Sequence, residues 1–530
     1  MNIFFFAEKM RKLLSFIFLL ALFGHRSCSN MEPGGSVCPP RCQCFTPLQV
    51  LCADDRMTSL PQNISRLTKE VIIMTSGMEY LFPNSLRGNP ALEKLILFNN
   101  VLRSIHADAF QQLTALQELE ISGNPSLDHL FLGTFAQQSN LTRLVLNYNR
   151  LKTVLPGMFD NLKRLETLQM KGNVLTFIPS LLFLNLHHLR VLDLSLNKIE
   201  EVTRETFSGL ARLEILKLNN NKISNISSDV FTDVSRLKEL HLEGNFISQL
   251  SDDLFSESSR LTVLNLRGNR LLSFPENAFG PAGSTLKELN LKGNRLRELS
   301  SLSSFTSLYH VILSTNQLKS LPEDVFRNVT ALEFLDLSEN QFSRLPETIF
   351  KNLSNIKVLD LHKNQLDELD AGLFQDQEFM ERLYLSDNQL RSLPTGLMDS
   401  FSLQHIVRLH GNPWNCDCHM SYLHSWVLNN SYDVEMLDRV TCQSPGILRR
   451  RTVASIQAEQ LQCRTPEDSM DRCSLHSSPH SLTIKCKVEK QTKMSVKVLF
   501  EDDHGNIQEH VVGSEVATND AVNVSGKVNQ

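Results

Sequence analysis

Fourteen asparagines constrain this chain more tightly than any other feature of its sequence. They stand at Asn100, Asn124, Asn149, Asn173, Asn197, Asn221, Asn245, Asn269, Asn294, Asn316, Asn340, Asn364, Asn388 and Asn412, in steps of 24 residues except two of 25 and one of 22. Each closes a segment of the form L-x-x-L-x-L-x-x-N-x-L, as in Leu92, Leu95, Leu97, Asn100 and Leu102, or Leu213, Leu216, Leu218, Asn221 and Ile223. A weaker fifteenth copy precedes them, with Val71, Ile73, Ser76 and Met78 in the same places. A period kept this long means that each segment is one small unit unable to bury its apolar face alone, covered instead by its neighbours in a stack. Leu-x-Leu is the alternation of a short strand with its leucines inside and the intervening residues outside, so the stack builds a parallel sheet. The chain then turns sharply, and an asparagine amide brings donors and an acceptor to the buried backbone groups of that turn.

A second column has its own phase: Phe110, Phe135, Phe159, Phe183, Phe207, Phe231, Phe255, Phe279, Phe305, Phe326, Phe350 and Phe374. It accounts for much of a skewed composition in which Phe numbers 30 against Tyr 6 and Trp 2. The rings are expected to fill a wide outer layer, with the narrower strand side on the inside of the curve. Period and motif together are those of leucine-rich repeats. The expected fold class is therefore an α/β leucine-rich-repeat solenoid with a curved parallel sheet on its concave face.

Outside the array the sequence divides further. Residues 1–29 read as a signal peptide: Lys9, Arg11 and Lys12 precede an apolar run from Leu13 to Phe23, and Ser27-Cys28-Ser29 offers small residues for cleavage. That run is too short to cross a bilayer, and no later stretch is long and apolar enough, so no membrane span is expected. An N-terminal cysteine cap over 38–66 contains Cys38, Cys42, Cys44 and Cys52. The repeats fill 67–411, the last of about fifteen merging into a C-terminal cap over 412–463 with Cys416, Cys418, Cys442 and Cys463. In an exported chain, even-numbered clusters at both ends of an array favour disulfides over zinc. Residues 464–530 alternate as a small β-rich appendage, with Cys473 and Cys486 expected to staple it. Sequons at Asn63, Asn140, Asn225, Asn328, Asn352, Asn429 and Asn523 fit the same compartment.

A formal net charge of -5 gives no electrostatic footprint for nucleic acid. Zinc-protease, nucleophile-elbow, Walker and dinucleotide motifs are absent, so neither a catalytic activity nor a cofactor is expected. Binding is expected on the outward residues of the concave strands. Among these, Tyr309, Phe334 and Tyr384 can lie near Asp336, Asp360 and His362, which joins aromatic anchors to charge. His405, His410, His419 and His424 read as strand and cap surface in preference to a metal site, and Arg449-Arg450-Arg451 as a solvated loop.

The cysteine entry from Cys38 to Cys44, the irregular first repeats from Thr68 to Asn124 and the exit from Leu409 to His419 carry a more specific likeness. Over residues 38–463 the chain resembles the regulatory, non-catalytic leucine-rich-repeat subunits of carboxypeptidase N. The resemblance implies a secreted plasma glycoprotein that carries and stabilises a zinc carboxypeptidase, with all catalytic residues on the partner. It also implies pairing of Cys38 with Cys44, Cys42 with Cys52, Cys416 with Cys442 and Cys418 with Cys463. The alternative is a secreted leucine-rich-repeat recognition or matrix-binding protein.

Overall fold

The computed structural model describes residues 38–275 and 277–463, with backbone alone for Pro281, Ala282 and five later strands. The chain falls into two compact units: one runs to Leu390 and includes Pro394–Asn412 and Tyr432–Met436, the other holds Arg391–Leu393, Pro413–Ser431 and the chain from Leu437. The signal peptide expected over 1–29 lies outside the described residues.

The first unit is organised by one 18-stranded sheet. It opens with Cys42–Thr46 antiparallel to Gln49–Cys52, closed by the Cys38–Cys44 and Cys42–Cys52 disulfides. From Gln49–Cys52 onward every pairing is parallel, one repeat per strand. Leu192, for example, lies opposite Leu168 on one side and Leu216 on the other. In each three-residue strand the central residue is buried and its neighbours are mostly half-buried, as alternation along a pleated strand requires. The sheet does not stop at the last repeat strand, Ile406–Arg408. Val434 and Glu435 pair with Val407 and Arg408, so residues from the segment expected to be only cap extend the repeat sheet.

Opposite the sheet, the twelve phenylalanines of the outer column are all buried. Successive rings stack at 6.2 Å for Phe135 and Phe159, 6.3 Å for Phe159 and Phe183, and 6.0 Å for Phe350 and Phe374. Strands in a sheet lie about 4.8 Å apart. The outer layer is therefore longer per repeat than the sheet, which places the sheet on the concave side of this unit. The connections on the outer side are turns, with a single four-residue helix at Arg204–Phe207 and a 3-10 turn at Gly280–Thr285 among the described residues. The helical part of the α/β expectation is thus small.

The asparagines hold the turns together. Asn221 Nδ2 donates to the carbonyl of Leu218 in its own turn at 2.9 Å and to that of Leu194 in the preceding one at 3.0 Å. Its Oδ1 accepts the Ile199 N–H at 3.0 Å. The same three bonds recur at all eleven asparagines from Asn173 to Asn412. Every residue just before a ladder position sits at positive φ, whether glycine, as Gly172 and Gly244, or not, as Leu196 and Thr315. A turn this tight requires the left-handed conformation there even when the sequence offers a branched side chain.

The second unit pairs Trp414–Asn415 with Cys442–Ser444 and carries, among its described residues, one α-helix, Ser421–Asn429, which buries Leu423, Trp426 and Val427. Disulfides join Cys416 to Cys442 and Cys418 to Cys463. Farther along, Cys473–Ser478, Ser481–Cys486 and Val522–Gly526 form an antiparallel sheet, and Val496–Glu501 pairs with Ile507–Val512. The register sets Cys473 opposite Cys486. The bond expected between them, and the side chain of the Asn523 sequon, lie outside the described residues.

Candidate functional site

The sheet presents three outward rows, each formed by one position of successive repeats. One row brings Ile312, Asp336, Asp360, Tyr384, Arg408 and Glu435 side by side across six consecutive strands. Asp336 and Asp360 are direct neighbours, and like charges so placed repel. Each is held by donors two residues on. Asp336 Oδ1 accepts the Ser338 N–H at 3.0 Å and its hydroxyl at 2.6 Å. Asp360 Oδ1 accepts the His362 N–H at 3.0 Å and approaches Nδ1 of that imidazole at 2.6 Å. The hydrogen bond that the imidazole gives to Asp360 raises the His362 pKa above its usual 6.5, although burial opposes it. A short chain of donors thus sets two carboxylates and an imidazole on one face.

Next in the row the Arg408 guanidinium lies 4.0 Å from the Tyr384 ring centroid and is anchored by a hydrogen bond from its Nε to the Glu435 carboxylate. The stack fixes two large side chains that would otherwise lose rotamer freedom on binding. Phe334 stands in the neighbouring row, edge-on to His310 with centroids 4.4 Å apart. Tyr309 precedes its strand and donates its hydroxyl to Glu288 at 2.5 Å, a bond that raises the phenol pKa.

Of the six residues expected here, Asp336, Asp360 and Tyr384 share a row, His362 is hydrogen-bonded to it, Phe334 lies one row away and Tyr309 turns toward Glu288 at the rim. Sequence reasoning did not select His310, Arg408 or Glu435. The repeat pattern placed His310 and Arg408 on outward strand positions and so offered a signal for both. Nothing in the pattern signalled Glu435, which enters the sheet from beyond the last asparagine.

His424 is buried in the second unit, where Nε2 meets the Ile456 carbonyl at 2.8 Å. Asp417, Cys418, His419 and Cys463 come within 4.8 Å of one another, but both sulfurs are spent in a disulfide and offer no thiolate to a metal. Arg450 takes a positive φ in an exposed turn. Among the described residues no helix is long and apolar enough to cross a membrane.

The sequons of the described residues avoid the large sheet. Asn63, Asn225, Asn328, Asn352 and Asn429 are exposed. Asn140 differs, because its Nδ2 donates to the Thr114 carbonyl at 2.9 Å and its Oδ1 accepts from Arg164 at 2.8 Å.

A family model described as "Leucine rich repeat" matches in overlapping segments that span residues 68–271 and 284–413, more than half of the chain. Carboxypeptidase N subunit 2 of Homo sapiens is 37% identical over 65 residues, a stretch covering 12% of this chain and 12% of that protein. A leucine-rich-repeat protein of Leptospira interrogans of known structure is 31% identical, with a TM-score of 0.60 over 68% of this chain and 88% of its own. The Toll–Spatzle complex of Drosophila gives a TM-score of 0.66 at 23% identity, covering 78% of this chain and 58% of that one, a likeness of fold alone.

Proposed function

The chain belongs to the leucine-rich-repeat family, and from that premise we propose that it is a secreted, non-catalytic binding subunit whose last concave repeats hold another protein. The observation that carries this reading is the row from Asp336 to Glu435. It offers carboxylates, an imidazole and a stacked Tyr384–Arg408 pair on a rigid sheet, the side-chain types that dominate binding energy at protein interfaces. The exposed sequons leave this face free for a partner, and we assign glycans to Asn63, Asn225, Asn328, Asn352 and Asn429 ahead of Asn140, whose amide is already engaged. Local similarity to carboxypeptidase N subunit 2 points to a zinc carboxypeptidase as that partner and to plasma as the setting.

The test is to purify the tagged full chain from serum-exposed culture and follow what co-elutes. Activity that removes C-terminal Lys or Arg should travel with it and should be lost from the complex with Asp360→Ala or Tyr384→Ala. Recovery of the chain alone, or with a matrix protein and no such activity, would replace the carrier reading with that of a recognition protein.

A further inference from the structure

The first three repeats differ from the rest in what they show outward. Leu51, Ile72 and Ile96 are aligned in one outward row, and Met74 and Phe98 in the next. All five are half-buried, while the inward positions between them are taken by Val71, Ile73, Leu95 and Leu97, none of them exposed at all. The core is therefore complete without this second apolar layer. In later repeats the same rows carry Gln169, Asp193 and Lys217, and Lys171, Ser195 and Asn219. Contiguous apolar side chains on an open face mark a contact surface more often than isolated ones do.

Charge around the strip is specific. The flanking row alternates Glu70, Lys94, Glu118 and Arg143, and neighbours close on each other: Lys94 to Glu70 at 3.2 Å, Lys94 to Glu118 at 3.4 Å, Arg143 to Glu118 at 3.1 Å. Glu120 is the exception. It follows Ile96 in the apolar row and has no salt bridge among the described residues, because the nearby cations Lys94 and Arg143 close on Glu70 and Glu118 instead. Beyond it Val145 is only 2% exposed, so the strip ends on this carboxylate. Burial raises the Glu120 pKa by disfavouring the charged form, while Ser122, Arg143 and Lys94 oppose the rise.

We propose that the concave face of the first three repeats is a docking surface for a protein segment that sets apolar side chains beside a lysine or arginine. The apolar residues would cover Ile72, Ile96, Met74 and Phe98, and the cation would form the direct salt bridge that Lys94 and Arg143 give to other carboxylates. One strand spacing, about 4.8 Å, separates Ile96 from Glu120, so the basic residue must lie next to the apolar ones and not at the end of a long linker. This site is separate from the row at Asp336–Glu435 and does not depend on what binds there.

The probe is a capped peptide alternating Leu and Lys, compared with one alternating Leu and Glu, titrated into the full chain by fluorescence anisotropy at physiological salt. The Leu-Lys peptide should bind and the Leu-Glu peptide should not. Glu120→Gln should weaken binding roughly thirtyfold or more, the size expected when one partner of a buried charge pair is removed. Ile96→Thr, which keeps a β-branched outward residue, should weaken it several-fold. Glu79→Gln, whose carboxylate pairs with Arg103 outside the strip, and Asp360→Ala should leave it unchanged. Absence of Leu-Lys binding, equal binding of the two peptides, or equal losses in Glu79→Gln and Glu120→Gln would overturn the proposal.

Discussion

From Asn173 onward the repeat strands are three residues long and each asparagine bonds its turn in one way, whereas the first three repeat strands, Glu70–Met74, Lys94–Phe98 and Glu118–Ser122, run to five residues and their turns are bonded individually. Ser76 stands in for asparagine and gives its N–H and hydroxyl to Asn100 Oδ1. Asn124 donates to Asn149 Oδ1 through both its backbone and its amide, and its own Oδ1 is buried with no partner. The Ser76–Asn100 turn is irregular within an ordinary 24-residue step, whereas the meeting of Asn124 with Asn149 follows from the position of one extra residue. In the 25-residue step after Asn124 it falls directly behind the asparagine, so the next inward leucine is Leu127, three residues on, and the acceptor of Asn149 meets Asn124 instead. In the 25-residue step after Asn269 it falls in the outer loop beyond Phe279, and Leu271 still reaches Asn294 Oδ1 at 3.1 Å. A solenoid absorbs insertions on its outer side and pays for them in the ladder.

Several measurements would break or sharpen this comparison. The outer layer should be common to both blocks: Phe231→Ala and Phe110→Ala, each removing a buried ring, should both cost about 3–5 kcal/mol in urea unfolding. A large difference between them would show that the blocks diverge in packing and not only in their turns. The ladder should separate them. Asn221→Leu strands a buried N–H and two carbonyls, at about 3 kcal/mol in all, while Asn124→Leu removes an amide already short of one partner and should cost about 1 kcal/mol. Equal losses would mean that the irregular turns are as well bonded as the regular ones.

Strain before the asparagine should be alike in both blocks and smaller. Thr315→Gly relieves a β-branched residue at φ 58° and should raise the melting temperature, with a gain of up to about 1 kcal/mol, and Thr75→Gly should do the same. The smallest effect concerns pH. Because the folded pKa of His362 is raised, its pairing with Asp360 stabilises the fold fully below the ordinary value of 6.5 and is lost as pH rises through the raised value. Asp360→Asn should therefore destabilise by less than about 1 kcal/mol at pH 5.5 and by progressively less toward pH 8. A penalty that grows with pH would reject the pairing.

Much of this was legible in the sequence, for a physical reason. A repeat repeats its constraints, so the asparagine register, the inward leucines and the outer phenylalanines appear many times over and identify strand, turn and outer layer without coordinates. The same register placed Asp336, Asp360 and Tyr384 on outward positions. It could not show that Tyr309 turns aside to Glu288, that Arg408 stacks on Tyr384, or that Phe334 meets His310, because those choices depend on rotamers and neighbours one repeat away.

By itself, then, the sequence determined the period, the direction of each strand residue and the compartment-bearing cysteines and sequons, all of which follow from local spacing. Only the tertiary structure decided that Val434–Glu435 completes the sheet, that Asn124 is left a bond short, and that Glu120 ends an apolar strip without a salt bridge. Each of these depends on groups that the chain brings together across a turn or a strand pairing, where one residue of displacement changes the partner and the pattern of letters does not.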